Sequence, residues 1–180
     1  MREDAALAYF VFADLLEYPV APALQKTEEA LSRIDPEIAA TVRKFIGFSA
    51  SRSIQRIQEL YTVTFDMQPV CYPYIGYHLY SESYKRGAFM AQLNETYRAV
   101  NFSAGLELPD HLPAILRFLG QSEENRNGEF GRALIGSGVI PALEKMLAVF
   151  GAESENPYCD LLSALKLFLE RVSEKDLSHA

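Results

Sequence analysis

Apolar residues recur at helical spacing along most of this chain, and no stretch alternates apolar and polar residues as a strand would. The first periodic segment covers residues 3–17 and predicts an amphipathic helix. Its apolar stripe consists of Ala6, Leu7, Phe10, Val11 and Leu15. Tyr18-Pro19 should end this helix, because the residue before a proline is pushed out of helical geometry.

Start and stop signals divide the rest of the chain into further helices. Asp35-Pro36-Glu37 combines a capping carboxylate, a proline at the first position and an acid facing the helix dipole. The predicted helices cover about 22–32, 35–47, 51–65, 81–100, 110–120 and 140–150, with a last one from Asn156-Pro157 that frays from about residue 173. Four glycines should weaken any helix over residues 123–138, making it the loosest part. We therefore predict an all-α fold, a single-domain bundle of roughly eight helices across residues 1–180.

Residues 66–78 interrupt the helical pattern. Two prolines and a glycine forbid a regular helix there, yet the segment is rich in tyrosine, isoleucine and valine. Exposed loops are normally polar, so an apolar loop either buries itself or offers its side chains to a partner. Tyr72, Tyr74 and Tyr77 suit contact with a partner through a large apolar area and a polar tip, and covering the core edge is the alternative.

A second distinctive segment, residues 107–120, begins another helix. Asp110 is placed to cap the first turn, and Pro113 lies just inside, where a missing N–H costs nothing. Asp110 and His111 would then lie together at the mouth of this helix, opposite the 66–78 loop. Capping is the simple role for Asp110, and acid–base catalysis or peptide anchoring are the alternatives.

Composition excludes several function classes. The chain has 180 residues, of which 49% are apolar and 23% charged, enough for one domain with a substantial core. A formal net charge of −7 argues against nucleic-acid binding and against an anionic membrane surface, since both require clustered Lys and Arg. The N-terminus does not resemble a secretory signal, and no apolar stretch approaches the roughly 20 residues that span a bilayer. We expect a cytoplasmic protein without direct membrane insertion.

Candidate catalytic and metal-binding groups are few. The two cysteines lie far apart, and the three histidines lack the spacing of metal ligands. A thiol nucleophile at Cys71 would need a base held by a third group. Asp110 and His111 are neighbours, so on a helix they point about 100° apart and aim poorly at each other. We predict no metal, no cofactor and no enzymatic activity.

Three short motifs occur at positions spread over nearly the whole chain. They are Leu-Pro-Asp-His-Leu-Pro at 108–113 before an apolar helix, Tyr61–Phe65 leading into Pro-Tyr-Ile-Gly at 73–76, and Leu-Leu-Glu-Tyr-Pro at 15–19 with a closing Tyr158-x-x-Leu-Leu. With them the chain resembles the redox-enzyme maturation chaperones, which include the nitrate reductase delta-subunit type and the trimethylamine-oxide and dimethyl-sulfoxide reductase chaperones. The first motif is similar to the Asp-His motif of that family.

The resemblance implies an all-helical fold, sometimes dimeric, that catalyses no reaction. Such chaperones bind the N-terminal leader, often twin-arginine, of a molybdenum-containing reductase catalytic subunit and hold that subunit until its molybdopterin cofactor is inserted. Carried over by position, the peptide-binding groove would be formed by Tyr61, Phe65, Pro73, Tyr74, Asp110 and His111. Glu107 and Asp110 would then attract the arginines of a leader.

Two positions depart from the family pattern. Thr64 stands where the family usually has leucine, which predicts a shallower pocket, and Arg117 lies near a position that is often acidic. Two other functions stay open: a self-association module whose apolar loop is buried by a second copy, and a small enzyme using Cys71 or the Asp110/His111 pair. Both a monomer and a homodimer are compatible with the sequence.

Overall fold

The computed structural model describes residues 2–20, 27–151 and 154–177, and most of these residues are helical. The α-helices are α1 (Arg2–Leu15), α2 (Thr27–Leu31), α3 (Pro36–Ala50), α4 (Ile54–Tyr61), α5 (Ile75–Tyr80), α6 (Tyr84–Ala99), α7 (Leu112–Gln121), α8 (Glu123–Asn127), α9 (Glu129–Ala133), α10 (Ile140–Ala148) and α11 (Pro157–Leu177). Two π-helical segments, Thr62–Asp66 after α4 and Leu134–Val139 between α9 and α10, continue the helices beside them. None of the described residues lies in a β-strand, and the all-α prediction is confirmed.

The core joins the first helix of the chain to the last. Helix α1 packs on α7, while α11 packs on α3 and α10. Tyr9 and Phe12 of α1 place their rings 5.2 Å and 5.7 Å from the ring of Phe168 in α11, measured between centroids. All three side chains are buried, so their apolar area stabilises this contact between the ends of the chain.

Two of the predicted helix starts are confirmed by their capping hydrogen bonds. The Asp35 carboxylate accepts a hydrogen bond from the Glu37 amide at 3.0 Å, with Pro36 at the first helical position. At α11, the Asn156 side-chain oxygen accepts from the Tyr158 amide at 3.0 Å.

Helix ends differ more from the sequence expectations than helix starts do. Helix α3 continues past Gly47, where it was predicted to fade, and ends at Ala50. Helix α11 is continuous to Leu177, beyond the predicted onset of fraying near residue 173. The first part of the helix predicted over 22–32 falls on residues 21–26, outside the described residues.

The stretch 123–138, where four glycines were expected to weaken any helix, consists of two short helices interrupted at Gly128 and a π-helical segment, so it is helical but divided. Two of the four glycines serve close packing between successive turns. A Cβ at Gly131 would lie 2.0 Å from the Asn125 carbonyl oxygen, and one at Gly128 would lie 2.6 Å from the Glu124 carbonyl oxygen. Only glycine allows the backbone of these short helices to approach so closely.

The 66–78 loop is shorter than predicted. Helix α5 begins at Ile75, so the expectation of no regular helix was wrong for the last part of this segment. The prolines lie ahead of the helix, and Gly76 is inside its first turn. The structure brings the loop next to the start of α7, as the sequence predicted, through the antiparallel bridge between Tyr74 and His111.

Candidate peptide-binding site

Backbone hydrogen bonds join the end of the 66–78 loop to the residues before α7. The Ile75 amide donates to the Asp110 carbonyl at 2.8 Å, and the Leu112 amide donates to the Pro73 carbonyl at 2.9 Å. We call this arrangement, Pro73–Ile75 against Asp110–Leu112, the Asp–His corner. It fixes two segments that are distant in sequence at the edge of the helical core.

Asp110 does not cap α7, and this sequence expectation was wrong. The helix begins at Leu112, with His111 in the capping position and no side-chain capping bond. The Asp110 side chain is fully buried, and its carboxylate accepts hydrogen bonds from Arg86, at 2.8 Å from Nε and 3.4 Å from Nη2. A buried carboxylate requires such a partner, because leaving it unpaired in the protein interior costs several kcal/mol, about 3–5.

Arg86 and Tyr97, which pack against the corner, also have partners within the protein. The Arg86 guanidinium lies over the rings of Tyr74 and Tyr77, 5.5 Å and 5.9 Å from their centroids. The Tyr97 hydroxyl donates to the Pro109 carbonyl at 2.9 Å. In this arrangement the Asp110 carboxylate has no exposed surface and forms an ion pair with Arg86. This buried ion pair holds the corner together.

Tyr74 and Glu107 form the outer side of the corner. The Tyr74 hydroxyl donates to Glu107 Oε2 at 3.2 Å, and Glu107 itself is exposed. Burial and the neighbouring Glu107 carboxylate raise the pKa of Tyr74 to about 12, so its hydroxyl stays a donor at neutral pH. His111 stacks against Tyr74, with ring centroids 5.4 Å apart, and burial lowers its pKa below the ordinary value.

Tyr61 and Phe65 lie in a buried aromatic cluster and do not face an open groove. Their ring centroids are 5.1 Å apart, and both rings contact Tyr158 of α11, at 6.1 Å and 4.9 Å. The Tyr61 ring also meets Tyr18 edge-on at 5.5 Å. Of the residues predicted to form a groove, Tyr61, Phe65, Pro73, Asp110 and His111 are therefore buried structural elements.

An open apolar cavity of about 540 Å³ lies beside this cluster, and the sequence analysis did not find it. Its walls come from the end of α1 with the residues that follow, the last turns of α3 and the start of α4, together with one residue each from α7 and α11. The apolar lining residues are Leu15, Tyr18, Pro19, Val20, Phe45, Ile46, Ala50, Ile54, Ile57 and Tyr158, and the polar ones are Asp14, Glu17, Ser49, Arg52 and Arg117. The Leu-Leu-Glu-Tyr-Pro motif at 15–19 was the signal for it, because that motif forms one wall.

The rim of the cavity carries three charged side chains that pair with one another, Asp14, Glu17 and Arg117. Arg117 of α7 bonds both carboxylates of the rim: its Nη2 lies 2.9 Å from Asp14 Oδ1, and its Nη1 donates to Glu17. The negative charge of Glu17 also reaches His111 and opposes the effect of burial on its pKa. The charge of Glu17 at the rim therefore lies within electrostatic reach of the buried His111.

Among the residues that the structure describes, Cys71 has no neighbour that could make it a nucleophile. Its thiol is buried, and burial raises its pKa to about 12, so it is protonated at neutral pH. His78 Nε2 lies 3.9 Å from the sulfur but 2.7 Å from the Tyr72 carbonyl oxygen. A carbonyl only accepts, so this nitrogen carries a proton and cannot act as a base towards Cys71.

Neither a metal-like cluster nor a membrane-spanning helix occurs in the part of the chain that the structure describes. No three His, Cys, Asp or Glu side chains there come together as a metal site would need. No helix in the same part of the chain is long and apolar enough to cross a membrane.

Comparison with known proteins identifies the family. A family model described as the nitrate reductase delta subunit matches residues 28–172. The chain belongs to this family. It is 30% identical over 142 residues to the probable nitrate reductase molybdenum cofactor assembly chaperone NarJ of Bacillus subtilis, a match that covers 78% of this chain and 73% of that protein. The resemblance to the redox-enzyme maturation chaperones is thereby confirmed.

Two further similarities have a narrower meaning. The nitrate reductase-like protein NarX of Mycobacterium tuberculosis is 26% identical over 152 residues, which are 84% of this chain but 22% of that protein. A crystal structure of a candidate redox enzyme maturation protein from Archaeoglobus fulgidus superposes with a TM-score of 0.59 over 94% of both chains, at 23% identity. This second similarity shows a shared fold.

Proposed function

We propose that this chain is an assembly chaperone for a molybdenum-containing reductase of the nitrate reductase type. It binds the N-terminal leader of the catalytic subunit in the cytoplasm and holds that subunit for insertion of its cofactor. The family membership and the similarity to the Bacillus subtilis chaperone support the choice of client. The chaperone itself carries no cofactor and catalyses no reaction in this proposal.

The observation that carries the proposal is the open apolar cavity between α1, α3 and α4. Its volume, about 540 Å³, lies within the range of sites that bury a ligand of a few large side chains. An amphipathic helix or extended segment would place its apolar side chains against Leu15, Phe45, Ile57 and the two tyrosines of the wall, Tyr18 and Tyr158. A few such anchors supply most of the affinity in interfaces of this kind.

The Asp–His corner has a supporting part in this proposal. Its buried residues fix the start of α7, from which Arg117 reaches the cavity rim. On its outer side, Tyr74 and Glu107 extend the binding surface beyond the cavity. The predicted groove residues thus divide into those that shape the site from behind and those that can touch a leader.

The first test is to recover the tagged protein gently from its own cells and to identify its partners by mass spectrometry. A co-purified molybdenum reductase catalytic subunit is the expected partner. A synthetic peptide with the N-terminal sequence of that subunit should then bind in isothermal titration calorimetry. Recovery of the chain alone from cells that express such a reductase would contradict the proposal.

The second test locates the leader. Ala50, the last residue of α3, is exposed and lines the cavity, so Ala50→Trp should fill it and weaken leader binding at least about tenfold. Ala99 is the exposed last residue of α6 and is not among the lining residues, which makes Ala99→Trp a matched control with unchanged binding. If Ala50→Trp binds the leader as tightly as the parent chain, the cavity is not the site.

Self-association is the second candidate, because apolar side chains after α4 are exposed. Val63, Met67 and Val70 expose 55%, 72% and 46% of their surface, and Tyr72 of the loop is exposed beside them. Such a patch can be covered by a second copy of the chain. Sedimentation velocity over a dilution series distinguishes this case, since dissociation into monomers on dilution would show that the chain forms a homodimer.

A further inference from the structure

Two carboxylates at the rim of the cavity share a single guanidinium among the described residues. Asp14 and Glu17 of the α1 end share one partner, the Arg117 guanidinium, so these three side chains leave a surplus negative charge. Arg52, the other basic residue of the lining, places its guanidinium 3.6 Å from the Phe48 ring centroid and donates to the Phe48 carbonyl. Around Asp14 and Glu17 the rim therefore suits a ligand that brings one more positive charge, while the Arg52 charge is held against Phe48.

The Arg117 ion pairs are easy to open. The side chains of Arg117, Asp14 and Glu17 expose 33%, 52% and 35% of their surface, so water screens each pair. The Arg86–Asp110 pair behind them is different, with 12% and 0% exposed. A competing cation can therefore exchange with Arg117 without disturbing the buried corner.

A second feature of the same cavity also lacks a protein partner. Ser49 lines the wall, and its buried hydroxyl oxygen has no hydrogen-bond partner among the described residues. Buried hydroxyls are almost always hydrogen-bonded, and each unsatisfied one needs an explanation. This hydroxyl lies behind the accessible wall of the cavity, so it marks a polar atom without a described partner next to the site and takes no part in binding a charged ligand.

We infer that the segment entering the cavity places a cationic side chain on Asp14 and Glu17, and that Arg117 occupies this position until that side chain replaces it. The inference rests on the proposed function, since it specifies which chemistry of the leader is recognised. Apolar anchors fill the interior of the cavity, and the rim selects leaders with a lysine or arginine beside those anchors. Because Arg117 competes for Asp14 and Glu17, it lowers the affinity for cationic peptides more than the affinity for uncharged apolar ones.

The test uses two synthetic peptides, the leader itself and a copy in which its arginines are replaced by citrulline and its lysines by norleucine. Binding of both peptides to the full-length parent chain and to Arg117→Gln is measured by titration calorimetry. We expect Arg117→Gln to bind the charged leader about three- to tenfold more tightly, because two weak pairs no longer compete. Its affinity for the neutral copy should stay within about twofold.

Arg56→Gln is the matched charge control. It removes the same positive charge from an exposed ion pair with Glu59 outside the cavity lining and leaves Asp14 and Glu17 with their partner, so it should not reproduce the gain. The double variant Asp14→Asn/Glu17→Gln should lose the preference for the charged leader over the neutral copy. Circular dichroism of each variant establishes that it is folded before binding is measured.

The possible outcomes separate this inference from the proposed function. If neither peptide binds the parent chain, the proposed function and the inference both fail. If the leader binds but Arg117→Gln and Arg56→Gln change its affinity equally, the net charge of the protein governs binding and the inference alone fails. Tighter binding of the neutral copy than of the charged leader by the parent chain would also overturn the inference.

Discussion

Replacement of Arg86 by methionine leaves the Asp110 carboxylate without its partner. In the native protein Asp110 is fully buried, and Arg86 supplies both of its side-chain hydrogen bonds, at 2.8 Å and 3.4 Å. Methionine keeps much of the apolar stem that packs beside Gly76 but carries no charge. An uncompensated buried carboxylate costs about 3–5 kcal/mol, so we expect the free energy of unfolding to fall by that amount. For a domain of ordinary stability this is a large fraction of the total.

A double-mutant cycle separates the ion pair from other effects of the substitutions. Urea unfolding, followed by circular dichroism, gives the free energy for Arg86→Met, Asp110→Asn and the double variant. The double variant should be more stable than Arg86→Met alone, because it buries no unpaired charge. Arg117→Gln is the control for an ion pair at the surface, and its partly exposed pairs should contribute less than about 1 kcal/mol each.

Two results would refute this reasoning. One is a loss below about 1 kcal/mol for Arg86→Met, which would make it no different from a surface pair. The other is a double variant whose loss equals the sum of the single losses, since independent effects would mean that the two residues do not act as a pair. Asp110→Asn gives the second estimate of the same interaction if Arg86→Met does not fold.

Further predictions concern stability and thiol reactivity. Burial lowers the pKa values of His111 and His78 from 6.5, so the unfolded chain binds protons more readily. The contribution of these histidines to the free energy of unfolding should hence be complete above pH 6.5 and be lost as the pH falls through their lowered pKa values. Urea titrations at several pH values check this: the free energy of unfolding of His111→Gln should depend less on pH than that of the parent chain, and an unchanged pH dependence contradicts the argument. Gly76→Ala should destabilise by about 1–3 kcal/mol, because its Cβ would lie 2.7 Å from a buried carboxylate oxygen of the corner. The matched control Gly47→Ala meets no atom within 4 Å and should stabilise α3 by about 0.5–1 kcal/mol, and equal effects of both changes in urea unfolding would refute the steric argument. A thiol reagent should label Cys71 only as the protein unfolds, and rapid labelling of Cys71 itself in the native chain, separated from the partly exposed Cys159 by peptide mapping, would show that this thiol is accessible.

The local signals in the sequence were sufficient to predict where several helices begin. Asp35-Pro36 and Asn156-Pro157 carry their capping chemistry within three residues, so no tertiary information was needed to recognise them. Glycine was harder to interpret, because its helix-weakening tendency is local but its use in close packing is tertiary. Gly131 illustrates this, since the carbonyl oxygen that excludes a side chain there belongs to the preceding helix.

The same distinction explains which parts of the site were predictable. Asp110 was expected to cap its own helix, but its partner Arg86 lies 24 residues earlier on another helix. Nothing in the local sequence connects the two residues. Asp110 pairs with Arg86 because a fully buried carboxylate needs a positively charged partner to offset its desolvation. The juxtaposition of the 66–78 loop with the start of α7 was predictable, since both segments break the helical pattern at distinctive motifs.

The cavity could not be deduced from any one segment. Its lining comes from residues 14–20, 45–57, 117 and 158, and each stretch alone is an ordinary amphipathic helix or its end. Empty space between elements depends on their relative placement, which periodicity does not specify. The motif at 15–19 pointed to this region, but only the fold assigned it a role.

The joining of the first helix to the last has a consequence for the order of events during synthesis. Tyr158 completes a cavity whose other walls start at Asp14, and Phe168 packs on Tyr9 and Phe12. A growing chain on the ribosome therefore lacks one wall of the cavity until Tyr158 in the first turn of α11 has emerged, and it lacks the contact between α1 and α11 until Phe168 has emerged. Premature termination anywhere before that helix should leave an inactive fragment, so the cell obtains either a whole chaperone or none.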